Sequence, residues 1–567
     1  MDTRTYEIDL MSADKSATSY KFSKDHVVVG HSHQDCDIAI FDQAVLARHL
    51  CIERTDNNQF QVTSFSAARN VYLNGRPVRP YQPILWKDGQ SLKIGQSTLT
   101  LREHLSLPRK FTQLAEISKW AIIAVGVPAL VILLLDATNL SLTDFPNVFT
   151  LIFSLIFILH SLFTLTWMLY GWNKDVESDP NRSPQTFEPP EISFTALIPA
   201  RHEERVIQDT IRAVNRINYP DALKEILVLC RQDDTATIAK AREIIAEMGQ
   251  SNIQLVVFNT LPINKPHSLN HGLDKARHDV IAIFDAEDEP HPDLYQIVNT
   301  IMLHDDADAV QSGVQLMNHC SHWFSILNVL EYFFWFRSGL HFFAKLGKVT
   351  PLGGNTVFIK KDFLNHIGGW DEDCLTEDAD IGIQLARHGA NIRIVYDERH
   401  TTREETPETT GSFIRQRARW NQGFLQILFK GDWARLPTLK QQMVAAYILF
   451  SPMIQALLIV ALPFGLSIAL STRLHIGIAL ISFTPLYMLL LQFAIHLYGL
   501  VEFTRAYRLR FPVWLPFALF ITYYPYQIVL AFSAFRAVFR VAANRTNWEK
   551  TAHANAHRQF QPEAGVY

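Results

Sequence analysis

The sequence predicts a multidomain membrane protein: an N-terminal all-β sandwich, a central α/β domain, and transmembrane α-helices flanking that domain. Three observations carry the prediction. Apolar residues make up 48% of the 567-residue chain, and they gather in long, nearly charge-free runs instead of spreading evenly. Between those runs, strand-like segments alternate with helix-length polar stretches, the pattern of βαβ units. Residues 1–105 instead show short strands and turn signals (Asn74-Gly75, Asp88-Gly89) with no long helix, which reads as a small sandwich. A formal net charge of −4 gives the chain no electrostatic reason to bind nucleic acid. The cysteines (Cys36, Cys51, Cys230, Cys320 and Cys374) are scattered without a paired spacing, consistent with a reducing compartment. The opening MDTRTYEIDL has no apolar core, so no cleaved signal peptide is expected.

Residues 116–172 are expected to form two transmembrane helices, at 120–141 and 147–170, each long enough to cross a hydrocarbon core of about 30 Å. Arg109, Lys110 and Lys119 precede the first run and Lys174 follows the second, while the loop between them has no Lys or Arg. That bias assigns residues 1–115 and everything after 172 to the cytoplasm. His160 falls within the second run and is expected to bond a neighbouring helix. Apolar material resumes over 441–540, near 443–470, 475–501 and 511–535. Three spans there would leave the tail, 541–567, outside. Arg505, Arg508 and Arg510 before the last run, and Arg536, Arg540 and Arg545 after it, ask for both flanks inside. A helical hairpin broken near Pro525 would reconcile the two. The aromatic, charge-interrupted segments 322–348 and 422–429 read as helices lying at the membrane face.

The α/β block, 190–435, holds separate clusters of chemistry-bearing residues. LIPARHEE (197–204) ends one strand, QDD (232–234) follows a second, and DAED (285–288) follows the apolar run VIAIF. Carboxylates at strand ends suit a ligand site, because ligands of α/β sheets bind outside the carboxyl ends of the strands. TED (376–378) lies in a loop before a helix, and QRARW (416–420) sits on a helix where Gln416, Arg419 and Trp420 share one side.

In order and spacing these motifs resemble the family 2 glycosyltransferases, the nucleotide-sugar enzymes that include cellulose, chitin and hyaluronan synthases. The resemblance covers roughly 190–435 and the flanking apolar helices, and it implies a GT-A-like catalytic domain. It implies a divalent cation, Mg²⁺ or Mn²⁺, on Asp285 and Glu287 to neutralise the leaving diphosphate. The family shows Asp-x-Asp where this chain has Asp-Ala-Glu, which leaves the preferred ion open. Asp234 or its neighbour Asp233 matches the acid that contacts uridine, Glu203 lies in the first strand–helix turn, and Lys265 matches a lysine near the phosphates. Asp378, beside Glu377, is the expected base on the acceptor hydroxyl. Arg419 would hold the pyrophosphate, with Gln416 and Trp420 toward the acceptor. NWEKTAH (547–553) is similar to a W-x-x-T element of several family synthases, matching Trp548 and Thr551. The implied activity is an inverting transfer from a UDP-sugar to a growing β-linked glycan, with export, in a multi-pass bacterial-type inner-membrane protein. The alternatives are a single addition to a lipid acceptor, or a signalling scaffold with an inactive transferase domain.

VVVGH (27–31), LARHL (46–50), RNVYLNG (69–75) and WKDGQSLKIG (86–95) resemble, in order, the forkhead-associated (FHA) domain, a phosphothreonine-reading sandwich. Asn70 and Arg48 match its peptide site. His31 stands where that family carries Arg, and Ala47 where it carries Ser. Losing a permanent bidentate cation weakens phosphate capture, so the module is expected to contact a protein partner with phosphate contributing little. His31, His33, Cys36, His49 and Cys51 have no common zinc spacing.

Overall fold

The computed structural model describes residues 145–172, 181–471 and 476–545, together with most of 6–103. Residues 1–5, 104–144, 173–180 and 546–567 lie outside the described residues, as do short loops of the N-terminal part such as 32–35, 47–48 and 66–70. The chain divides into two units, 1–134 and 135–567.

In the first unit, the strands Tyr6–Met11, Ala17–Phe22, Val71–Leu73, Arg76–Pro77, Ser91–Ile94 and Ser97–Glu103 form one sheet. His26–Gly30, Ile38–Ala39, Leu50–Arg54, Phe60–Ser64 and Ile84–Trp86 form the other. Period-two alternation builds the core between them, since Ile8 and Leu10, Val27 and Val29, Leu50 and Ile52, and Leu92 and Ile94 all turn inward. This is the expected sandwich. His31 is exposed at the end of its strand. Arg48 and Asn70 lie outside the described residues, so the peptide site is described only at His31. His49 is buried and accepts from the Leu46 amide through Nδ1 at 3.0 Å.

The described residues of the second unit form nine strands: β1 (Phe194–Ala200), β2 (Lys224–Arg231), β3 (Ile253–Phe258), β4 (Val280–Ile283), β5 (Ala309–Ser312), β6 (Val314–Leu316), β7 (Val357–Lys360), β8 (Ile392–Val395) and β9 (Thr402–Glu404). Its helices are α1 (Phe145–Leu169), α2 (Ile207–Asn215), α3 (Thr235–Met248), α4 (Lys265–Lys275), α5 (Leu294–Asp305), α6 (Ser325–Phe334), α7 (Leu340–Gly347), α8 (Lys361–Ile367), α9 (Glu377–Arg387), α10 (Thr410–Lys430), α11 (Leu439–Ser471), α12 (Ile476–Ser482), α13 (Thr484–Ala506) and α14 (Leu515–Ala542). Seven strands make the main sheet in the order β3-β2-β1-β4-β7-β5-β8, with β7 alone antiparallel to its neighbours. β6 and β9 pair separately. β1 and β2 are buried along nearly their whole length, as a strand covered on both faces must be. From β1 the chain winds outward to β2 and β3, then returns to β4 on the other side of β1. The crevice at that reversal is where an open α/β sheet binds ligands.

Among the described residues, four helices are long and apolar enough to cross a membrane: Phe145–Trp172, Leu439–Ser471, Ile478–Ala506 and Leu515–Ala542. The first matches the expected run at 147–170, and the other three match those expected after 441. The run at 120–141 lies outside the described residues. α14 passes through Pro525 without a break, so the hairpin expected there does not form. Helices packed among apolar neighbours tolerate such a proline, since polar side chains or local 3₁₀ or π adjustments re-satisfy the freed carbonyl. His160 takes the expected role, with Tyr447 of α11 3.2 Å away.

The segment expected at the membrane face forms α6, a wider π turn (Trp335–Gly339) and α7. It is largely buried: Phe333, Phe334, Phe336 and Leu340 share a core with Leu500, Phe503 and Tyr523 of α13 and α14. This segment is therefore a packed layer between the sheet and the apolar helices.

α10 is tied to both sides. Gln422 accepts from Arg540 Nε at 2.6 Å and donates to the Arg545 carbonyl at 2.5 Å. Where α10 crosses the 376–378 loop it carries Gly423, and a Cβ there would stand 2.2 Å from Thr376 Oγ1 and 2.5 Å from Thr376 Cγ2. Gly423→Ala should cost about 1–3 kcal/mol by forcing the helix off the loop. The expected result is a lower apparent melting temperature of the detergent-solubilised protein, and an unchanged one would contradict the close packing.

Candidate active site

A cleft of about 670 Å³ opens at the crevice between β1 and β4. Its walls come from the strand-end loops of the sheet and from α10, so residues far apart in the chain converge there.

After β1, the turn Pro199–Glu203 lines the cleft. Asp234 holds this turn in place. It caps α3, accepting from the Thr237 amide at 3.3 Å, and also accepts from the His202 amide at 2.5 Å. The His202 φ of 58° is the left-handed geometry that brings the amide round. Glu203 is buried, and its amide donates to Thr237 Oγ1 at 2.9 Å. The structure brings Glu203 into the cleft but leaves Asp234 behind the wall as a cap. Asp233 is paired with Arg201 at 3.2 Å and Arg231 at 3.1 Å. Those two arginines line the cleft while Asp233 does not. Basic residues at the ends of β1 and β2 were the sequence signal for them.

After β4, Asp285 and Glu287 face the cleft. Asp288 is fully buried and braces the loop. It accepts from the Asp285 amide at 2.9 Å and from Asn355 Nδ2 at 2.7 Å, and Asn355 also donates to Glu404. The sequence reading gave Asp288 no role. Burial, then repulsion from Asp285 and Glu203, pushes Glu287 well above the usual carboxylate range. Burial, then repulsion from Glu404, does the same to Asp288. Hard oxygens crowded in this way suit a divalent cation, which relieves the repulsion, so Asp285 and Glu287 fit the Mg²⁺ or Mn²⁺ expected of them. Among the described residues, the tighter groups of three metal-binding side chains lie elsewhere, at His26–Cys51–Glu53 and His291–Asp293–His400.

Lys265 starts α4, whose N-cap Asn264 accepts from the His267 amide at 3.0 Å. Its ammonium donates to Asp285 at 2.5 Å and to the Gly354 carbonyl at 2.7 Å, and stands 3.7 Å from Glu377. These carboxylates outweigh the burial that would discharge it, and its pKa is raised. Gly354 forms the floor, since a Cβ there would sit 3.2 Å from Asp378 Oδ2 and 3.3 Å from Lys265 Nζ. The sequence reading missed this glycine, although the GGN run at 353–355 was its signal.

Glu377 and Asp378 open α9, where the free amides of a helix N-terminus favour negative charge. The Asp378 Oδ1 accepts from the Ala379 amide at 2.8 Å. Burial raises Glu377 to about 7, with Lys265 working the other way and Asp378 adding to the rise. Burial raises Asp378 as well, partly offset by Lys265 and Arg419. From α10, Gln416, Arg419 and Trp420 complete the wall. Arg417 sits behind them, donating to Glu331 and to Asn328 at 2.5 Å, with its guanidinium 4.7 Å from the Trp420 ring centre. A buried cation over its face holds that indole in place. Trp548 and Thr551 lie outside the described residues, but the last described residue before that tail, Arg545, sits on α10 through Gln422.

A second cavity, about 380 Å³, continues from the first. It shares Tyr332, Gly354, Asn355, Thr376, Asp378 and Trp420 with the cleft and runs between α1, α11, α13 and α14.

Residues 189–423 match the model "Glycosyltransferase like family 2", and residues 27–95 match the FHA domain. A probable glycosyltransferase of Bacillus subtilis, YdaM, is 29% identical over 43% of this chain and 57% of its own length. The poly-beta-1,6-N-acetyl-D-glucosamine synthase of Staphylococcus epidermidis is 27% identical over 46% of this chain and 60% of its own. The beta-monoglucosyldiacylglycerol synthase of a Nostoc species is 26% identical over 41% and 48%. The chain thus spans about half to three fifths of the length of these relatives. A mannosyltransferase from Pyrobaculum calidifontis, solved with GDP-Man and Mn²⁺, superposes with a TM-score of 0.49 at 17% identity, covering 70% of this chain and 99% of that one. The chain therefore carries a family 2-like glycosyltransferase domain over residues 189–423, preceded by an FHA domain over 27–95.

Proposed function

We propose that this chain transfers sugars from a UDP-sugar, with inversion, to a growing β-linked glycan, and passes the product between its apolar helices. The observation that carries the proposal is the second cavity, which starts at Asp378 and Trp420 and continues between membrane-capable helices. Its wall includes His160, Gln455, Gln492, His496 and Gln527. Polar side chains inside apolar helices are expensive and mark a path for something polar. Most of the remaining wall is apolar and aromatic, with Phe157, Trp167, Phe334, Trp335 and Phe343 among it, so the cavity also suits the lipid acceptor of the second reading below.

In this reading Asp378 accepts the proton of the acceptor hydroxyl as that oxygen bonds the anomeric carbon and the bond to the UDP oxygen breaks. Lys265, Arg419 and the arginines at 201 and 231 hold the diphosphate as its charge grows. A bound Mg²⁺ or Mn²⁺ on Asp285 and Glu287 would supply further neutralisation of that charge. Trp420 offers a flat face to the acceptor sugar, and the Arg417–Glu331 pair fixes its angle.

Asp378→Asn should lower kcat by about 10²–10⁴-fold while leaving nucleotide binding intact, read as UDP release from a panel of UDP-sugars with either metal. Because burial raises Asp378, the base is lost to protonation at higher pH than an ordinary aspartate. The acid limb of kcat/KM should therefore lie above the ordinary value of about 3.9 and vanish in the Asn variant. Full activity of that variant would remove Asp378 from the role of base.

The Nostoc relative favours a second reading, one sugar added to a lipid. Product sizing separates the two: a ladder or high polymer supports polymerisation, and a single sugar on lipid replaces it. Gln527→Phe, which fills the second cavity, should shorten the polymer without raising the KM for the donor. An inactive scaffold is the third reading, and failure to bind any nucleotide sugar would revive it.

The FHA domain is proposed to recruit or regulate by protein contact on the cytoplasmic side, with His31 a weak substitute for a permanent cation at neutral pH. Deleting residues 1–105 should change synthesis or localisation. A phosphothreonine peptide bound at micromolar affinity, about 8 kcal/mol, at neutral pH would show instead that phosphate recognition is intact.

A further inference from the structure

We propose that His291, Asp293 and His400 form a binding site for a transition-metal dication such as Zn²⁺, separate from the acids of the cleft. One ligand atom from each of the three lies within 4.8 Å of the other two. Two imidazoles are borderline donors that, joined by one carboxylate, select Zn²⁺ and its neighbours over Mg²⁺.

The arrangement of lone pairs supports a cation there. His291 Nδ1 accepts from the Asp293 amide at 3.2 Å, so it is unprotonated, and an ion bound through it would displace that amide. It stands 3.9 Å from Asp293 Oδ2, two acceptors facing each other across a gap. The His291 and His400 ring centres are 4.7 Å apart, nearly edge to face. His400 Nδ1 is buried and has no hydrogen-bond partner among the described residues. It stands 3.8 Å from Asp397 Oδ2. A turn of the ring that closed this gap would let Asp397 orient a metal-bound imidazole as outer carboxylates do, and Asp397 is itself locked by Arg399 at 2.7 Å and Arg182 at 3.4 Å. Zn–N and Zn–O bonds near 2.0–2.1 Å put tetrahedral ligand atoms roughly 3.3 Å apart, so small side-chain turns close the site and water completes it.

The position gives the ion a consequence. His291 and Asp293 follow the DAED loop, and His400 precedes β9. These two segments already exchange a pair of backbone bonds, from the Glu289 amide to the Arg403 carbonyl at 3.2 Å and from the Arg403 amide to the Glu289 carbonyl at 3.0 Å. Both segments line the cleft, through Asp285 and Glu287 on one and Glu404 and Glu405 on the other. A bound ion would clamp them together from outside.

The test is Zn²⁺ titration of the full-length, metal-stripped protein in detergent, with Co²⁺ as a coloured probe of coordination. The background carries Asp285→Asn and Glu287→Gln, to silence the cleft, and Cys51→Ser, to silence the His26–Cys51–Glu53 group. One equivalent of Zn²⁺ should bind and raise the melting temperature. His400→Ala and Asp293→Asn should each weaken binding at least about tenfold, and Asp397→Asn about 10–100-fold. The readout is metal binding, so it stands or falls independently of glycosyl transfer. No stoichiometric Zn²⁺ binding, or binding that both His400→Ala and Asp293→Asn leave unchanged, overturns the proposal.

Discussion

The Lys265 ammonium is surrounded by acids. Asp285 lies 2.5 Å away, Glu377 3.7 Å, and Asp378 contributes across the Gly354 floor. Carboxylates gathered at the ends of β4 and the start of α9 would repel one another strongly if nothing stood between them, because burial removes the water that screens them. Burial first, and the neighbouring carboxylates after it, still raise Glu287 and Glu377. A buried cation with several acidic neighbours is stabilised by the ensemble more than by any one pair, and removing it leaves charge uncompensated, a loss of about 3–5 kcal/mol. Lys265 therefore stabilises the fold of the cleft, whatever part it takes in binding. Any diphosphate that enters draws on an ammonium whose neighbours then need another positive charge, which is the electrostatic case for a metal on the same acids.

α10 links this chemistry to the apolar helices. One side presents Gln416, Arg419 and Trp420 to the cleft. The other packs Leu425 and Leu428 with Leu449, Met453 and Ala534 of α11 and α14. Phe413 stacks on Tyr526 at 5.5 Å, and Arg540 ties down Gln422 near the other end. Between these, the Arg417–Glu331 pair joins α10 to α6, and the same guanidinium lies over Trp420. The helix is thus held along its whole length.

Much of this could be read from the chain because local patterns govern it. Short strands with turn signals pointed to the sandwich, apolar length located the membrane-capable helices, and acids at strand ends located Asp285, Glu287 and Glu203. The spacing of Gln416, Arg419 and Trp420 put them on one wall. What escaped was decided by long-range geometry. Asp233 and Asp234 are adjacent acids, and only the path of the turn at 201–203 decides that one pairs with arginines and the other caps α3. Asp288 differs from Asp285 by which way a tight turn points it. Gly354 matters through Lys265 and Asp378, residues distant in sequence. Pro525 looked like a break because a lone helix would kink there, whereas packed neighbours let α14 run through. The His291–His400 pair joins loops more than a hundred residues apart and leaves no trace in spacing.

The continuous hold on α10 has a consequence for the setting in which the protein works. A helix fixed at one end by a ring stack and at the other by an arginine, with its flank against α11 and α14, follows those helices when they tilt. Tilt is how apolar helices adjust to a bilayer thinner or thicker than their own length. Arg419 and Trp420 ride on that lever, at a site where displacements near one ångström matter. Under the proposed placement of these helices in a bilayer, its thickness and lipid composition would become variables of the proposed site.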